Sequence, residues 1–221
     1  LAQAGYAQHP LYIPPTDSLV IQKLKEWQNF KFGLLMHWGT YSQWGIVESW
    51  SLCPEDEDWC QRRGPYANHY FEYKRQYENL QTTFNPKHFN PSKWASAAAS
   101  AGMKYIVFTT KHHDGFCNWP SNQANNTWGF AWNALDAGPH RDLLGDLFKA
   151  VRKTSVHAGM YYSLYEWFNP LWLSDKKKFV SDHMFPQFKD LVTRYKPSII
   201  FSDGEWDLSD TAWQSEKLLA W

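Results

Sequence analysis

Four short apolar runs, each ending in a polar cluster, restrict the fold of this chain more than any other feature. They are rich in β-branched and aromatic residues and end at charged or turn-forming residues, which is typical of buried strands. The runs cover residues 32–36, 104–110, 157–163 and 199–203. Apolar residues at helical spacing lie between them, most clearly in residues 142–153. Strands that alternate with helices predict a parallel sheet, and polar clusters at the strand ends predict a (β/α)8 barrel.

The number of strands sets how much of such a barrel this sequence contains. A closed (β/α)8 barrel has eight strand–helix units, whereas the 221 residues here hold four apolar runs of this kind. We therefore predict an α/β chain in which residues 31–221 form about the first four units of a TIM-like barrel. Residues 1–30 begin with an aperiodic, proline-containing stretch, and we predict a leader that packs on the barrel. A self-contained open sheet of four strands is the alternative.

Charge and aromatic content narrow the class of partner. The chain has 22 Lys and Arg and 22 Asp and Glu residues, so its formal net charge is zero. No global field therefore favours nucleic acid or an anionic membrane surface, and no apolar run approaches the roughly 18 residues of a membrane helix. Aromatic residues make up 18% of the chain, with 14 Trp. Such rings can be core residues, or they can be platforms for the apolar faces of sugars.

Two short segments bear on localisation. The first eight residues, LAQAGYAQ, have the small-residue character of a signal-peptide junction. Asn125 begins an Asn-Asn-Thr sequon, which is meaningful in a eukaryotic secretory protein. We therefore predict an exported protein, which is periplasmic, secreted or lysosomal.

The polar clusters at the four strand ends are the candidate site. They contain His37, His112, His113, Asp114, Tyr161, Tyr162, Glu166, Asp203 and Glu205. Because the carboxyl ends of parallel strands meet at one end of a barrel, we expect these clusters to converge there. No Gly-rich turn or group of Arg and Lys accompanies them, which disfavours a phosphate site.

Two chemistries remain, together with a purely structural interpretation of the histidines. Three histidines and Asp203 have the ligand types of a zinc site, which would make the protein a metal-dependent barrel hydrolase. However, adjacent His112 and His113 on an extended backbone are expected to point in opposite directions, which disfavours a shared ion. Glycoside hydrolysis needs carboxylates, hydrogen-bonding side chains and aromatic walls, and the clusters supply these. The histidines could instead only satisfy buried backbone groups.

Several stretches resemble the α-L-fucosidases of glycoside hydrolase family 29. The similarity runs from about Pro15 onward, and the HHDGF and SDGEW stretches carry most of it. The stretches are residues 32–39, 110–116 with Trp119, 138–147, 162–167 and 202–206. The forms SLYEWFNP and SDGEW look closer to the lysosomal animal members than to some bacterial ones.

The resemblance implies a role for each candidate residue. Asp203 matches the catalytic nucleophile, and Phe201 and Leu35 are candidates for the apolar surface under the fucose C6 methyl. The implied substrate-binding residues are His37, Glu48, Trp50, His112, His113, Tyr162 and Phe201. Tyr162 is expected in the wall of the pocket. Glu48 and Trp50 are separated by Ser49, where the family often has Glu and Trp adjacent.

The resemblance also implies the reaction, a retaining exo-hydrolysis of terminal α-L-fucose by double displacement. The implied partner is a fucosylated oligosaccharide or glycoprotein, without cofactor or metal, and a homo-oligomer is compatible with it. The family's acid/base Glu is expected beyond residue 221, with only Glu48, Glu166 and Glu205 as substitutes in this chain. We therefore expect the isolated chain to be inactive. A carbohydrate-binding or catalytically inactive relative is the alternative.

Overall fold

The computed structural model describes residues 13–53 and 60–221, and its centre is a four-stranded parallel sheet. The strands lie in chain order, and each pairs in parallel with the next. They are β1 (Gly33–Met36), β2 (Tyr105–Lys111), β3 (His157–Ser163) and β4 (Ile199–Asp203). Each predicted run therefore forms a strand with a boundary within one residue of the prediction.

Ten α-helices, one π-helix and two short 3-10 turns form within the described residues. The 3-10 turns are Thr40–Gln43 and Trp50–Leu52, and the π-helix is Phe179–Met184. The α-helices are α1 (Ser18–Phe30), α2 (Tyr70–Thr83), α3 (Pro91–Ser100), α4 (Asn122–Trp128), α5 (Leu143–Val151), α6 (Pro170–Ser174), α7 (Lys176–Lys178), α8 (Phe185–Tyr195), α9 (Asp210–Trp213) and α10 (Ser215–Ala220).

Side-chain caps explain where the crossover helices begin. The Asn90 side chain accepts from the Lys93 N–H at 3.0 Å and starts α3, and Asp142 accepts from the Gly145 N–H at 2.9 Å and starts α5. Each cap satisfies one of the backbone donors that a helix N-terminus leaves unpaired. The inner face of α5 is fully buried and packs in the same core as the sheet.

Three helices differ from the expectations. The sequence predicts a short helix from about Tyr66 to Tyr77, whereas helix α2 begins four residues later and continues to Thr83. The polar loop after β2 contains α4, which no apolar periodicity indicated. The sequence also predicts one helix from Thr211 to Trp221, but the structure divides it into α9 and α10 at Gln214, whose φ of 53° is left-handed.

A β-bulge in β2 changes the direction of the residues that follow it. Thr109 pairs with Tyr161, but Lys111 pairs with Tyr162, so Thr110 is an extra residue. The Thr110 hydroxyl donates to the Tyr161 carbonyl at 2.6 Å, which satisfies the interrupted ladder. Residues two apart normally share a face of a sheet, but Thr109 and Lys111 point to opposite faces because of this bulge.

The N-terminal segment is a separate compact unit. The chain divides between Lys31 and Phe32, one residue beyond the predicted domain boundary. Asp17 caps α1 by accepting from the Leu19 and Val20 N–H groups. Residues 1–12 lie outside the described residues, and packing of a 1–30 leader on the barrel stays a prediction. Within the described chain, every helix is too short or too polar to cross a membrane.

Candidate active site

Asp203 ends β4 and lies at the centre of the candidate site. Its Oδ2 accepts from the Tyr161 hydroxyl at 2.5 Å, and its Oδ1 accepts from the Gly204 N–H at 2.8 Å. The side chain remains 29% exposed, so a ligand can still reach it. Gly204 has a φ of 80°, and a Cβ there would lie 2.7 Å from Tyr165 Cβ. Only glycine fits this turn, which holds the Asp203 carboxylate in place.

The tyrosine beside Asp203 is Tyr161 and not Tyr162. The Tyr162 hydroxyl instead donates to Gln187 Oε1 at 2.7 Å on the opposite face of the sheet. Its ring lies under the Lys111 ammonium and is fully buried. The assignment of Tyr162 to the pocket wall is therefore wrong, because neighbouring residues of β3 alternate between faces. Tyr161 is the tyrosine that contacts Asp203.

His37 follows β1 and contacts the same tyrosine. Its ring packs edge-on against Tyr161, with centroids 4.5 Å apart, and its Nδ1 lies 3.3 Å from Thr109 Oγ1. Burial lowers the pKa of His37, although the charge of Asp203 opposes this shift. His37 therefore lies where the sequence predicts, between the ends of β1, β2 and β3.

His112 and His113 both face the site, which corrects the expectation that they point apart. Their ring centroids are 4.1 Å apart, and His112 also stacks on Tyr161 at 5.5 Å. The expectation assumed a regular strand, whereas the bulge at Thr110 and the end of β2 at Lys111 remove the alternation. Burial lowers the pKa of His112 well below its ordinary value and that of His113 to about 3. Both rings are therefore neutral near pH 7.

Tryptophans form one wall beside the two histidines. The Trp50 ring lies 5.4 Å from His113 and 5.5 Å from Trp206, and Trp206 lies 5.0 Å from His113. Trp206 is 50% exposed, so part of its face is open to a ligand. The inserted Ser49 does not move Trp50 away from the site. Trp206 belongs to the quoted SDGEW stretch, but the sequence alone assigned it no role.

The remaining predicted residues occupy the edge of the site. The Phe201 ring stacks on Tyr161 at 5.9 Å and is 49% exposed. Leu35 lies on the same face of the sheet because it pairs with Val107, two residues before Thr109. Glu48 is half-buried with a φ of 39°, and burial raises its pKa. Its charge is among the smaller causes of the raised pKa of Tyr161, after burial and Asp203.

Glu166 is not available to the site. It is fully buried on the far side of β2, where its Oε1 lies 2.6 Å from Lys111 Nζ and 2.7 Å from His183 Nε2. Asn169 and Trp128 donate to its Oε2 at 2.6 and 3.1 Å. These contacts exclude Glu166 as a substitute acid/base, because no substrate can reach a carboxylate enclosed in this way.

Asp114 connects the histidine segment to α2. Its Oδ2 accepts from the Tyr77 hydroxyl at 2.6 Å, and its Oδ1 accepts from the Phe116 N–H at 3.0 Å. Burial raises the pKa of Asp114 to about 6. The carboxylate is buried, and its bonds to Tyr77 and the Phe116 N–H join the histidine segment to α2. Across the described ranges, no group of three or more His, Cys, Asp and Glu residues is arranged to hold a metal ion.

Comparisons with known sequences agree with this geometry. The family model described as alpha-L-fucosidase matches residues 1–221. Tissue alpha-L-fucosidase of Rattus norvegicus is 42% identical over 234 residues, covering 100% of this chain and 48% of the relative. The Homo sapiens tissue alpha-L-fucosidase is 41% identical over 224 residues, covering 95% and 46%. The chain thus spans about half the length of the curated relatives it matches.

Solved structures show the same correspondence. The alpha-fucosidase of Thermotoga maritima superposes with a TM-score of 0.63 at 29% identity, covering 86% of this chain and 48% of that one. An alpha-L-fucosidase GH29 from Bacteroides thetaiotaomicron gives 0.67 at 26% identity, covering 96% and 47%. The prediction of an α/β chain with the first four units of a (β/α)8 barrel is confirmed. The chain belongs to the alpha-L-fucosidase family.

Proposed function

We propose that this chain supplies the nucleophile side of a retaining exo-glycosidase active site, which releases terminal α-L-fucose from glycoconjugates. The single observation that carries the proposal is the placement of Asp203. Its carboxylate ends β4, is held by Tyr161 and Gly204, and remains accessible among three histidines and two tryptophans. A glycosidase nucleophile needs this combination of fixed geometry and access to the sugar.

In the first step, an Asp203 oxygen attacks the anomeric carbon and the bond to the leaving-group oxygen breaks. A carboxylic acid protonates that oxygen, and a glycosyl ester forms on Asp203. In the second step, the same acid, now a carboxylate, takes a proton from water, which attacks the anomeric carbon and releases Asp203. Because the chain spans about half of its relatives, we expect the acid/base to come from outside these 221 residues. Its carboxyl should lie about 5–5.5 Å from that of Asp203.

The surroundings of Asp203 suit a deoxysugar. Neutral imidazoles of His37, His112 and His113 can hydrogen-bond sugar hydroxyls without adding charge. The exposed Phe201 ring lies beside Tyr161 and offers an apolar contact for a methyl group. Such a contact distinguishes a methyl from a hydroxymethyl group by about 1–3 kcal/mol. Tyr161 replaces Tyr162 in this proposal as the residue next to the reacting carboxylate.

The test is hydrolysis of an aryl α-L-fucoside by the full-length protein and its Asp203→Asn variant. We expect at least a 1,000-fold loss of kcat. Asp207→Asn is the matched control, because Asp207 lies four residues away in an exposed ion pair with Lys176, and it should retain activity. Fucose binding without turnover by the wild-type protein would instead support a carbohydrate-binding or inactive relative. Loss of turnover on chelation would favour a metal-dependent hydrolase.

We further propose that the protein acts on fucosylated glycans outside the cytosol. The support is a relative from Rattus norvegicus with the name Plasma alpha-L-fucosidase, which is 36% identical over 222 residues. The sequon adds little, because Asn125 donates to Asp136 at 2.7 Å and accepts from the Trp132 N–H at 2.8 Å. A glycan would be attached to the same Asn125 nitrogen that donates to Asp136. Immunolocalisation of the natural protein with organelle markers tests the proposal, and cytosolic staining would contradict it.

A further inference from the structure

We propose that Ser49 and Ser163 hold the adjacent His112 and His113 in opposite tautomers, so that His112 presents an N–H donor and His113 a bare nitrogen acceptor to the substrate. The inference rests on the proposed function, because it takes the substrate to be a sugar with hydroxyl groups. Both serines are buried, and neither emerged from the sequence as a site residue.

The contacts of Ser163 fix the proton of His113. Ser163 Oγ lies 2.5 Å from the Tyr165 carbonyl oxygen and 2.6 Å from His113 Nδ1. A carbonyl oxygen has no proton to donate, so the hydroxyl proton of Ser163 must lie on the bond to Tyr165. His113 Nδ1 must therefore carry its own proton and donate it to Ser163. In a neutral imidazole, Nε2 is then an acceptor only.

The same reasoning gives the opposite result for His112. Ser49 Oγ accepts from the Trp167 indole N–H at 3.1 Å and lies 2.6 Å from His112 Nδ1. Indole nitrogen is a donor only, so His112 Nδ1 is the acceptor available to the Ser49 hydroxyl. If Nδ1 carried a proton, the buried hydroxyl proton would have no partner, which is costly. His112 Nδ1 is therefore bare, and Nε2 carries the proton.

The tautomer inferred for His113 leaves an unsatisfied acceptor in the site. His113 Nε2 is buried and has no hydrogen-bond partner among the described residues. It lies 3.8 Å from Asp203 Oδ2, which is also an acceptor. Two acceptors facing each other at this distance require a donor from outside, and a sugar hydroxyl is such a donor. The site would thus bind one hydroxyl that donates to His113 and another that accepts from His112.

Imidazole 15N chemical shifts test the tautomers directly, because protonated and bare ring nitrogens have well-separated shifts. The sample is the full-length protein labelled with 15N in its histidine rings, without substrate, and His112→Gln and His113→Gln assign the signals. We expect a protonated Nδ1 on His113 and a protonated Nε2 on His112. The same tautomer on both rings, or a doubly protonated ring at pH 7, would overturn the proposal. This result does not depend on whether the protein hydrolyses fucosides.

Serine variants distinguish a role in fixing the histidine tautomers from a general effect on the folded structure. In Ser163→Ala we expect a population of His113 with a protonated Nε2, with His112 unchanged, and Ser49→Ala should release His112 alone. Ser174→Ala is the matched control, because Ser174 is exposed and bonds only to backbone carbonyls. An unaltered His113 tautomer in a folded Ser163→Ala protein would refute the role of Ser163.

Modified substrates provide the functional readout. The readout is the Kd of fucose analogues, because binding does not include the inductive effect of fluorine on the oxocarbenium-like transition state. Fluorine cannot donate a hydrogen bond, so fluorination of the hydroxyl that faces His113 should raise Kd as much as its deletion, about tenfold or more. At the hydroxyl that faces His112, fluorine retains some acceptor character, so fluorination there should weaken binding less than deletion does. In the Ser163→Ala variant, fluorination relative to deletion should have the same effect at the two hydroxyls. Identical responses at every ring hydroxyl would contradict the proposal.

Discussion

Replacing Lys111 by Met should destabilise the protein far more than removing any surface ion pair. Lys111 and Glu166 are both fully buried, and their Nζ and Oε1 atoms are 2.6 Å apart. Burial alone would raise the pKa of Glu166, but His183 and Lys111 outweigh it and hold that pKa below its ordinary value. Removing Lys111 leaves a buried carboxylate without the ammonium group that lies 2.6 Å from it.

The expected magnitude follows from the contacts that remain. Breaking a buried ion pair by removing one partner costs about 3–5 kcal/mol. In this chain, His183, Asn169 and Trp128 still contact Glu166, so the lower end, about 3 kcal/mol, is expected. This is a large share of the 5–15 kcal/mol that typically separates a folded domain from its unfolded state.

Denaturant unfolding of the full-length protein measures the effect, read as a change of midpoint at constant m. Arg194→Met is the control, because Arg194 and Asp190 form an exposed i,i+4 pair on α8 at 2.8 Å. It should cost within about 0.5 kcal/mol. The double variant Lys111→Met/Glu166→Gln should be less destabilised than the sum of the two single variants. A Lys111→Met cost below about 1 kcal/mol would refute the reasoning, since Glu166 would then tolerate an unpaired charge.

Further predictions concern the site itself. Tyr161→Phe should lower kcat/KM about tenfold or more, because it removes the donor to Asp203. Tyr162→Phe should leave kcat/KM near wild type and cost about 1 kcal/mol of stability through the lost Gln187 bond. The opposite pattern in matched kinetic assays would contradict the assignment. Gly204→Ala should cost about 1–3 kcal/mol, because its φ of 80° and the 2.7 Å approach to Tyr165 leave no space for a Cβ, and thermal melts measure this. The pKa of His113 is lowered to about 3 in the folded chain, so between about pH 6.5 and 3 the unfolded chain binds a proton that the folded chain does not. The free energy of unfolding should therefore fall as pH falls through this window. This contribution should be missing in His113→Gln, so identical slopes of unfolding free energy against pH in the two proteins would contradict the prediction.

Apolar runs and the turn-forming residues at their ends predicted the strands, because both are local features of the sequence. Each run of apolar residues between turn-forming residues is buried whichever neighbour it pairs with, so residues 157–163 and 199–203 could be assigned without knowing the sheet order. The caps at Asn90 and Asp142 are also local, and they explain where α3 and α5 begin.

The errors arose where the direction of a side chain depends on pairing. Tyr161 and Tyr162 are equally aromatic neighbours, and only the register of β3 determines which one meets Asp203. The convergence of His112 and His113 depends on the bulge at Thr110, which no residue type in the sequence signals. Helix α4 has seven residues, five of them Asn, Gln or Thr, so its burial depends on tertiary contacts.

The buried contacts behind the site also could not be predicted from the sequence. Lys111 and Glu166 are 55 residues apart, and a charged pair in a sequence is usually solvated rather than fully buried. Their partnership follows from the fold, which brings the ends of β2 and β3 together. Ser49 is similar, because a serine in a long loop gives no indication that its hydroxyl meets a histidine 63 residues later.

The identity of the nucleophile is tested most directly by trapping the covalent intermediate in the full-length protein. An activated 2-deoxy-2-fluoro-fucoside slows release of the glycosyl ester, so the sugar remains on the attacking residue. Peptide mass spectrometry with fragmentation then distinguishes Asp203 from Glu205 in the same peptide. We predict a fluorofucosyl adduct on Asp203 that is absent from Asp203→Asn. An adduct on Glu205 or another carboxylate, or turnover that persists in Asp203→Asn, would contradict the assignment of Asp203 as the nucleophile.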